Sequence, residues 1–132
     1  MHLMVKLFLE KDKEFILGPG RIELLRFIRE LGSLRKAANS MDMSYRWAWG
    51  RINKTQEGVG VKLLDRRQPA ARGRSWSLTP EAEQLIEWFS TVEQEISGTL
   101  QRLEASMPDF LKGEGVGTDP DSTKKQQRRI LD

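Results

Sequence analysis

The residues of this sequence best able to do chemistry are its cations. Residues 33–80 carry Arg35, Lys36, Arg46, Arg51, Lys54, Lys62, Arg66, Arg67, Arg72 and Arg74. Only Asp42, Glu57 and Asp65 oppose these ten, so the stretch has a net charge of +7. Residues 81–112 hold seven acids and two bases, a net −5. Such a polarised molecule attracts polyanions and is oriented by them on approach. The chemistry these cations support is binding: charged donors on phosphate oxygens, or a bidentate arginine on guanine O6 and N7. A merely solvated surface can also be rich in charge, so spacing has to decide.

Catalysis has no comparable constellation. The chain lacks cysteine, which excludes disulfide frameworks and cysteine-ligated zinc. Its only histidine is His2, at a terminus. There is no nucleophile–histidine pair, phosphate-binding loop, dinucleotide glycine motif or carboxylate cluster in an apolar setting. The acids of residues 81–95 fall where a solvated helix face would put them. The expectation is a protein that is not an enzyme, has no cofactor and shows no evident small-molecule effector. No apolar run approaches the roughly 20 residues of a membrane span. The N-terminus also lacks the basic flank and apolar core of a signal peptide. A cytoplasmic protein without a membrane partner follows by default.

The elements that position the cations can be read from periodicity. Apolar residues 3–9 and Phe15-Ile16-Leu17 flank a turn at Lys11-Asp12-Lys13, a pattern that predicts a β-hairpin. Gly18-Pro19-Gly20 ends it. Ile22, Leu24, Leu25, Phe27, Ile28 and Leu31 recur at helical spacing, and Gly32 is a natural stop. Ser33 can cap a second helix reaching about Met41, with Leu34, Ala37, Ala38 and Met41 inward and Arg35, Lys36 and Asn39 outward. After a turn at Asp42-Met43, Ser44 caps a third helix, Tyr45 to about Glu57. With Ala48, Ile52 and Thr55 facing the core, Arg46, Gly50 and Asn53 lie on the opposite side. Gly58-Val59-Gly60 should break this helix. Val61–Leu64 and Trp76–Leu78 then read as two strands with a basic tip between them. Thr79-Pro80-Glu81 opens a long helix to residue 107, roughly 40 Å long. From Gly113 the chain is polar, so residues 108–132 read as a disordered tail.

Two short helices joined by a tight turn, with a helix before and a basic hairpin after, make a winged helix-turn-helix. The fold class is α+β, mostly α: a DNA-binding domain at 1–78 with an N-terminal hairpin, a dimerisation helix at 79–107, and a tail. The partner implied is double-stranded DNA, with the second helix of the pair in a major groove. Tyr45 and Arg46 stand in its first turn, where base edges are usually met. Ser33, Arg35, Lys36 and Ser44 suit phosphates. Gly50 and Asn53 lie on the same outward face. Arg66, Arg67, Arg72 and Arg74 of the wing can neutralise phosphates or enter a minor groove. Trp49 suits packing against the wing, while Trp47 is open between packing and contact. On the long helix, Leu85, Phe89, Val92, Ile96, Leu100 and Leu103 suit a helix partner in a homodimer. A second reading, a protein-interaction adaptor that reuses the winged helix without DNA, is opposed by the +7 block.

Residues 3–105 resemble the DNA-binding half of the ModE-type molybdate-dependent regulators, which are related to the LysR-type regulators. The resemblance rests on the opening hairpin, Gly18-Pro19-Gly20-Arg21-Ile22-Glu23-Leu24-Leu25, Gly32-Ser33-Leu34 and Lys36-Ala37-Ala38. Most specific is Met43-Ser44-Tyr45-Arg46-Trp47-Ala48-Trp49, close to that family's Ser-Tyr-basic-x-Ala-Trp signature. Leu78-Thr79-Pro80 fits both families. The resemblance implies a dimeric transcription regulator. Two local departures stand out: a wing rich in arginine where the family's is rich in glycine, and Gly50 where the family often has Asp. The residues after Met107 do not suit the oxyanion-binding domains of full-length members, so molybdate sensing is not expected to carry over.

Overall fold

The computed structural model describes residues 1–66, 76–113 and 130–131. Asp12 and Lys13 take φ of 53° and 68°, as a tight two-residue hairpin turn requires. Strands β2 (Leu9–Lys11) and β3 (Glu14–Leu17) pair antiparallel around it. The hairpin expected from the sequence is present, with a first strand that is shorter and later than residues 3–9. Strand β1 (Val5–Lys6) instead pairs in parallel with β6 (Ile130–Leu131).

Pro19 opens helix α1 (Pro19–Leu31), and Gly32 closes it with φ 71°, its N–H donating to Ile28 O at 2.8 Å. The left-handed stop satisfies an orphan carbonyl without a Cβ penalty. Helix α2 (Leu34–Ser40) starts at Ser33, whose Oγ accepts from Lys36 N at 3.2 Å. Asp42, at φ 54°, turns the chain into helix α3 (Tyr45–Val59), where Ser44 Oγ accepts from Trp47 N at 3.1 Å. Helix α3 outruns the expected break at Gly58 and stops at Gly60, with φ 78°. Within the helix, position 58 is a glycine for a packing reason: a Cβ there would stand 2.4 Å from Ile16 Cδ1 of β3. The glycine makes room for the hairpin.

Strands β4 (Leu64–Arg66) and β5 (Trp76–Leu78) form the wing, with Leu64 opposite Leu78 and Arg66 opposite Trp76. The strand expected at Val61–Leu64 begins only at Leu64, because the preceding groups are otherwise engaged. Gln56 Oε1 accepts from Leu63 N at 2.9 Å and Leu64 N at 3.1 Å, and Thr79 Oγ1 donates to Lys62 O at 2.7 Å. The wing tip, residues 67–75, lies outside the described residues. Helix α4 (Pro80–Ala105) has 26 residues and is capped by Thr79, which accepts from Ala82 N at 3.2 Å. Residues 108–132, expected to be without structure, include one helical turn, α5 (Asp109–Lys112), and β6.

Helix α1 occupies the centre. Ile22, Leu24, Leu25 and Ile28 are fully enclosed by Leu17 of the hairpin, Leu34, Ala37 and Ala38 of α2, Ala48 and Ile52 of α3, Leu63 and Leu64 beside the wing, and Ala82, Ile86 and Phe89 of α4. This is the mostly helical winged helix-turn-helix architecture the sequence predicts. Among the described residues no helix is long and apolar enough to cross a membrane.

Candidate nucleic-acid interface

The outward face of α3 follows from what its inward face buries. Ala48, Ile52 and Thr55 are enclosed, so Arg46 and Gly50 stand clear on the far side. Nothing lies within 4 Å of a Cβ placed on Gly50. Its absent side chain serves no internal packing, unlike that of Gly58. Beside it is a shallow cavity of about 380 Å³ lined by Ser44, Arg46, Trp47, Gly50, Arg51 and Lys54, with Arg21 behind them.

One side of this face is joined to the wing by aromatic rings. Trp49 stacks on Trp76 of β5 with centroids 4.7 Å apart and planes at 23°. Trp76 Nε1 donates to the Tyr45 hydroxyl at 3.1 Å. The Arg35 guanidinium of α2 lies 4.8 Å from the centre of the Tyr45 ring, and that of Arg66 lies 4.8 Å from Trp76. Cation–π contacts at partly exposed sites contribute about 0.5–1 kcal/mol each. They also hold two charged groups at defined places on the surface. Trp49 thus packs against the wing, as its position suggests.

On the other side Trp47 is 56% exposed, and Arg51 sits 4.9 Å from its ring centre. Asn53 is half-buried and engaged along the helix: its Nδ2 donates to Glu57 Oε1 at 3.3 Å and its Oδ1 accepts from Gln56 Nε2 at 3.4 Å. Ser33, half-buried, and Ser44, exposed, are both helix caps. Lys36 is exposed on α2. The structure therefore brings Ser44, Tyr45, Arg46, Gly50, Arg35 and Arg66 to one side. Arg67, Arg72 and Arg74 lie outside the described residues.

The electrostatics are set by pairing elsewhere. Glu93 of α4 takes Arg26 at 2.9 Å and Glu83 takes Arg29 at 3.1 Å, both arginines on α1. The acids of the long helix are thus not simply solvated, as the sequence suggested; two of them neutralise α1. Among the described residues no ion pair engages Arg35, Lys36, Arg46, Arg51, Lys54, Lys62 or Arg66. Their charge remains available to a polyanion.

Sequence reasoning missed Arg21, which is 8% exposed. Its Nη1 donates to Ile16 O at 2.7 Å and to Thr55 Oγ1 at 3.1 Å, while the guanidinium covers the Phe15 ring at 4.4 Å. It fastens the hairpin to α1 and α3. The signal was present: Arg21 precedes Leu24, Leu25 and Ile28 by three, four and seven, which places it on the buried face.

The long-helix assignment needs a correction. Phe89 is 2% exposed within its own core and Leu100 is also buried, so neither is available to a partner. Leu85, Val92 and Ile96 are half-buried, and Leu103 is exposed. Trp88, overlooked in the sequence, is exposed on the same flank as Leu85 and Val92. A spacing of seven identifies a stripe, but not which edge the domain itself covers.

Residues 20–83 match the model of the bacterial regulatory helix-turn-helix protein, LysR family. The chain is 27% identical over 90 residues to the transcriptional regulator ModE of Haemophilus influenzae, covering 68% of this chain and 35% of that protein. It is 28% identical over 94 residues to the DNA-binding transcriptional dual regulator ModE of Escherichia coli K12, covering 71% and 36%. The chain thus spans about a third of the length of these curated relatives. Its fold superposes on the crystal structure titled CbnR_DBD-DNA complex with a TM-score of 0.53 and 18% identity, over 66% of this chain and 94% of that one.

Proposed function

We propose that this protein is a sequence-specific DNA-binding transcriptional regulator, a reading that the match of residues 20–83 to the LysR-family helix-turn-helix model supports. Helix α3 enters a major groove with Arg46 at the base edges. Arg35, Lys36 and the wing arginines hold the phosphates on either side. The observation that carries this reading is the cationic surface shared by α2, α3 and Arg66 of the wing, which no ion pair engages among the described residues, with Gly50 open beside Arg46. The relatives it matches, transcriptional regulators of which one is described as DNA-binding, support it.

The protein acts as a homodimer. Helix α4 spans about 39 Å at 1.5 Å per residue, and its Leu85, Trp88, Val92, Ile96 and Leu103 edge is left incompletely covered by the domain. A second copy of the same helix covers that edge. Two-fold symmetry then presents two α3 helices to half-sites about one DNA turn apart.

Titrating a duplex selected from random sequence, at salt concentrations from 50 to 200 mM, tests the reading. Phosphate neutralisation makes log affinity fall linearly with log salt. An adaptor without DNA function shows no salt-dependent binding to any duplex.

A further inference from the structure

We infer that Trp47 is a specificity-determining residue that reads the 5-methyl group of a thymine. The inference rests on the DNA-binding reading above and assigns a part of that site. Two aromatic residues stand in the first turn of α3. Tyr45 is committed internally: its hydroxyl accepts from Trp76 and its ring carries Arg35. Trp47 is not so held. It is 56% exposed, and among the described residues its indole N–H meets no acceptor. A large apolar ring left in water has an unused hydrophobic surface.

The ring nevertheless has one neighbour. Arg51 lies on it at 4.9 Å, which limits its motion before any ligand arrives. Ser44 accepts from the Trp47 backbone N–H at 3.1 Å, so the residue belongs to the capped, rigid start of the helix. Gly50, three residues on, lines the same 380 Å³ cavity as Trp47, and a Cβ placed on it would meet nothing within 4 Å, so the space beside the indole stays open. Arg46 projects from the same turn. The major-groove floor offers hydrogen-bonding groups almost everywhere; its apolar feature is the thymine methyl. A preorganised indole beside a base-reading arginine matches a thymine next to the base that Arg46 contacts.

The test uses the full chain and the duplex best enriched by in vitro selection. Each thymine of that duplex is replaced in turn by deoxyuridine, which removes only the methyl. Affinity is measured by fluorescence anisotropy for the wild type, Trp47→Ala and Trp47→Phe. One thymine per half-site should show a loss of about fourfold on the wild type, the worth of one buried methyl. Trp47→Ala should bind thymine and deoxyuridine duplexes alike, and Trp47→Phe should keep part of the discrimination. Unchanged thermal melting of the variants, as the exposure of Trp47 requires, assigns the change to the interface. Insensitivity of the wild type to every deoxyuridine, or equal sensitivity in Trp47→Ala, overturns the inference while leaving DNA binding intact. Failure to enrich any sequence overturns both.

Discussion

The indole N–H of Trp76, in the second strand of the wing, donates to the hydroxyl of Tyr45, in the first turn of α3, at 3.1 Å. Two residues 31 positions apart thereby set the angle between the wing and the helix proposed to read bases. The stack of Trp76 on Trp49 closes the same corner from the other side. A winged helix must present both parts to one duplex, so this corner links packing to binding.

The corner should show measurable coupling. A double-mutant cycle of Trp49→Ala and Trp76→Ala, followed by urea unfolding, is expected to give an interaction energy of about 0.5–1.5 kcal/mol. Additive losses would mean that the rings touch without cooperating.

Gly50 and Gly58, two turns apart on α3, should respond to alanine in opposite ways. Gly50→Ala gains about 1 kcal/mol of helix propensity at no packing cost, since its surroundings are open. The variant should melt higher yet bind DNA more weakly, because the new methyl faces the groove. Gly58→Ala collides with Ile16, and overpacking of about 1–3 kcal/mol offsets the same gain. It should melt no higher than the wild type and should bind DNA normally at temperatures where it is folded. Two calorimetric scans and two titrations check the pattern; a stability gain in both would show that Ile16 yields freely.

The contrast between those glycines shows what the sequence could and could not disclose. Helices α1, α2 and α3 were readable because each carries its own punctuation: Pro19 and Gly32, Ser33, Ser44. Gly58 misled because a glycine near a helix end is read as a stop unless the tertiary neighbour, Ile16, is known. The charge of Arg21 points to the outside, although its spacing from Leu24 and Ile28 places it inside. On α4 the seven-residue repeat was visible, but Phe89 is taken by the protomer's own core and Trp88 is exposed in its place. Which edge of a stripe remains open depends on how α1 crosses it, and no local pattern records that.

The wing arginines make a charge prediction. Arg72→Gln together with Arg74→Gln should weaken binding to every duplex and reduce the slope of log affinity against log salt by up to about 1.8 per protomer, about 3.6 for a dimer on two half-sites. An unchanged slope would place the wing tip away from the phosphates.

The dimer prediction follows from the corrected edge of α4. Trp88 and Leu103 are 53% and 50% exposed, so Trp88→Glu with Leu103→Asp should leave the protomer folded. Sedimentation equilibrium should show a monomer, and affinity for the selected duplex should fall to that of a single half-site. A variant that remains dimeric would move the interface elsewhere.

The most direct test of the central claim is the affinity of Arg46→Ala on a panel of selected duplexes varied one base pair at a time. Arg46 is exposed in the first turn of α3 and carries no ion pair among the described residues. If it reads guanine, the substitution costs about 1–3 kcal/mol on the preferred duplex and abolishes preference at one base position of each half-site. An equal loss on every duplex, with all base preferences retained, would reduce Arg46 to a phosphate contact and contradict the placement of α3 in the groove.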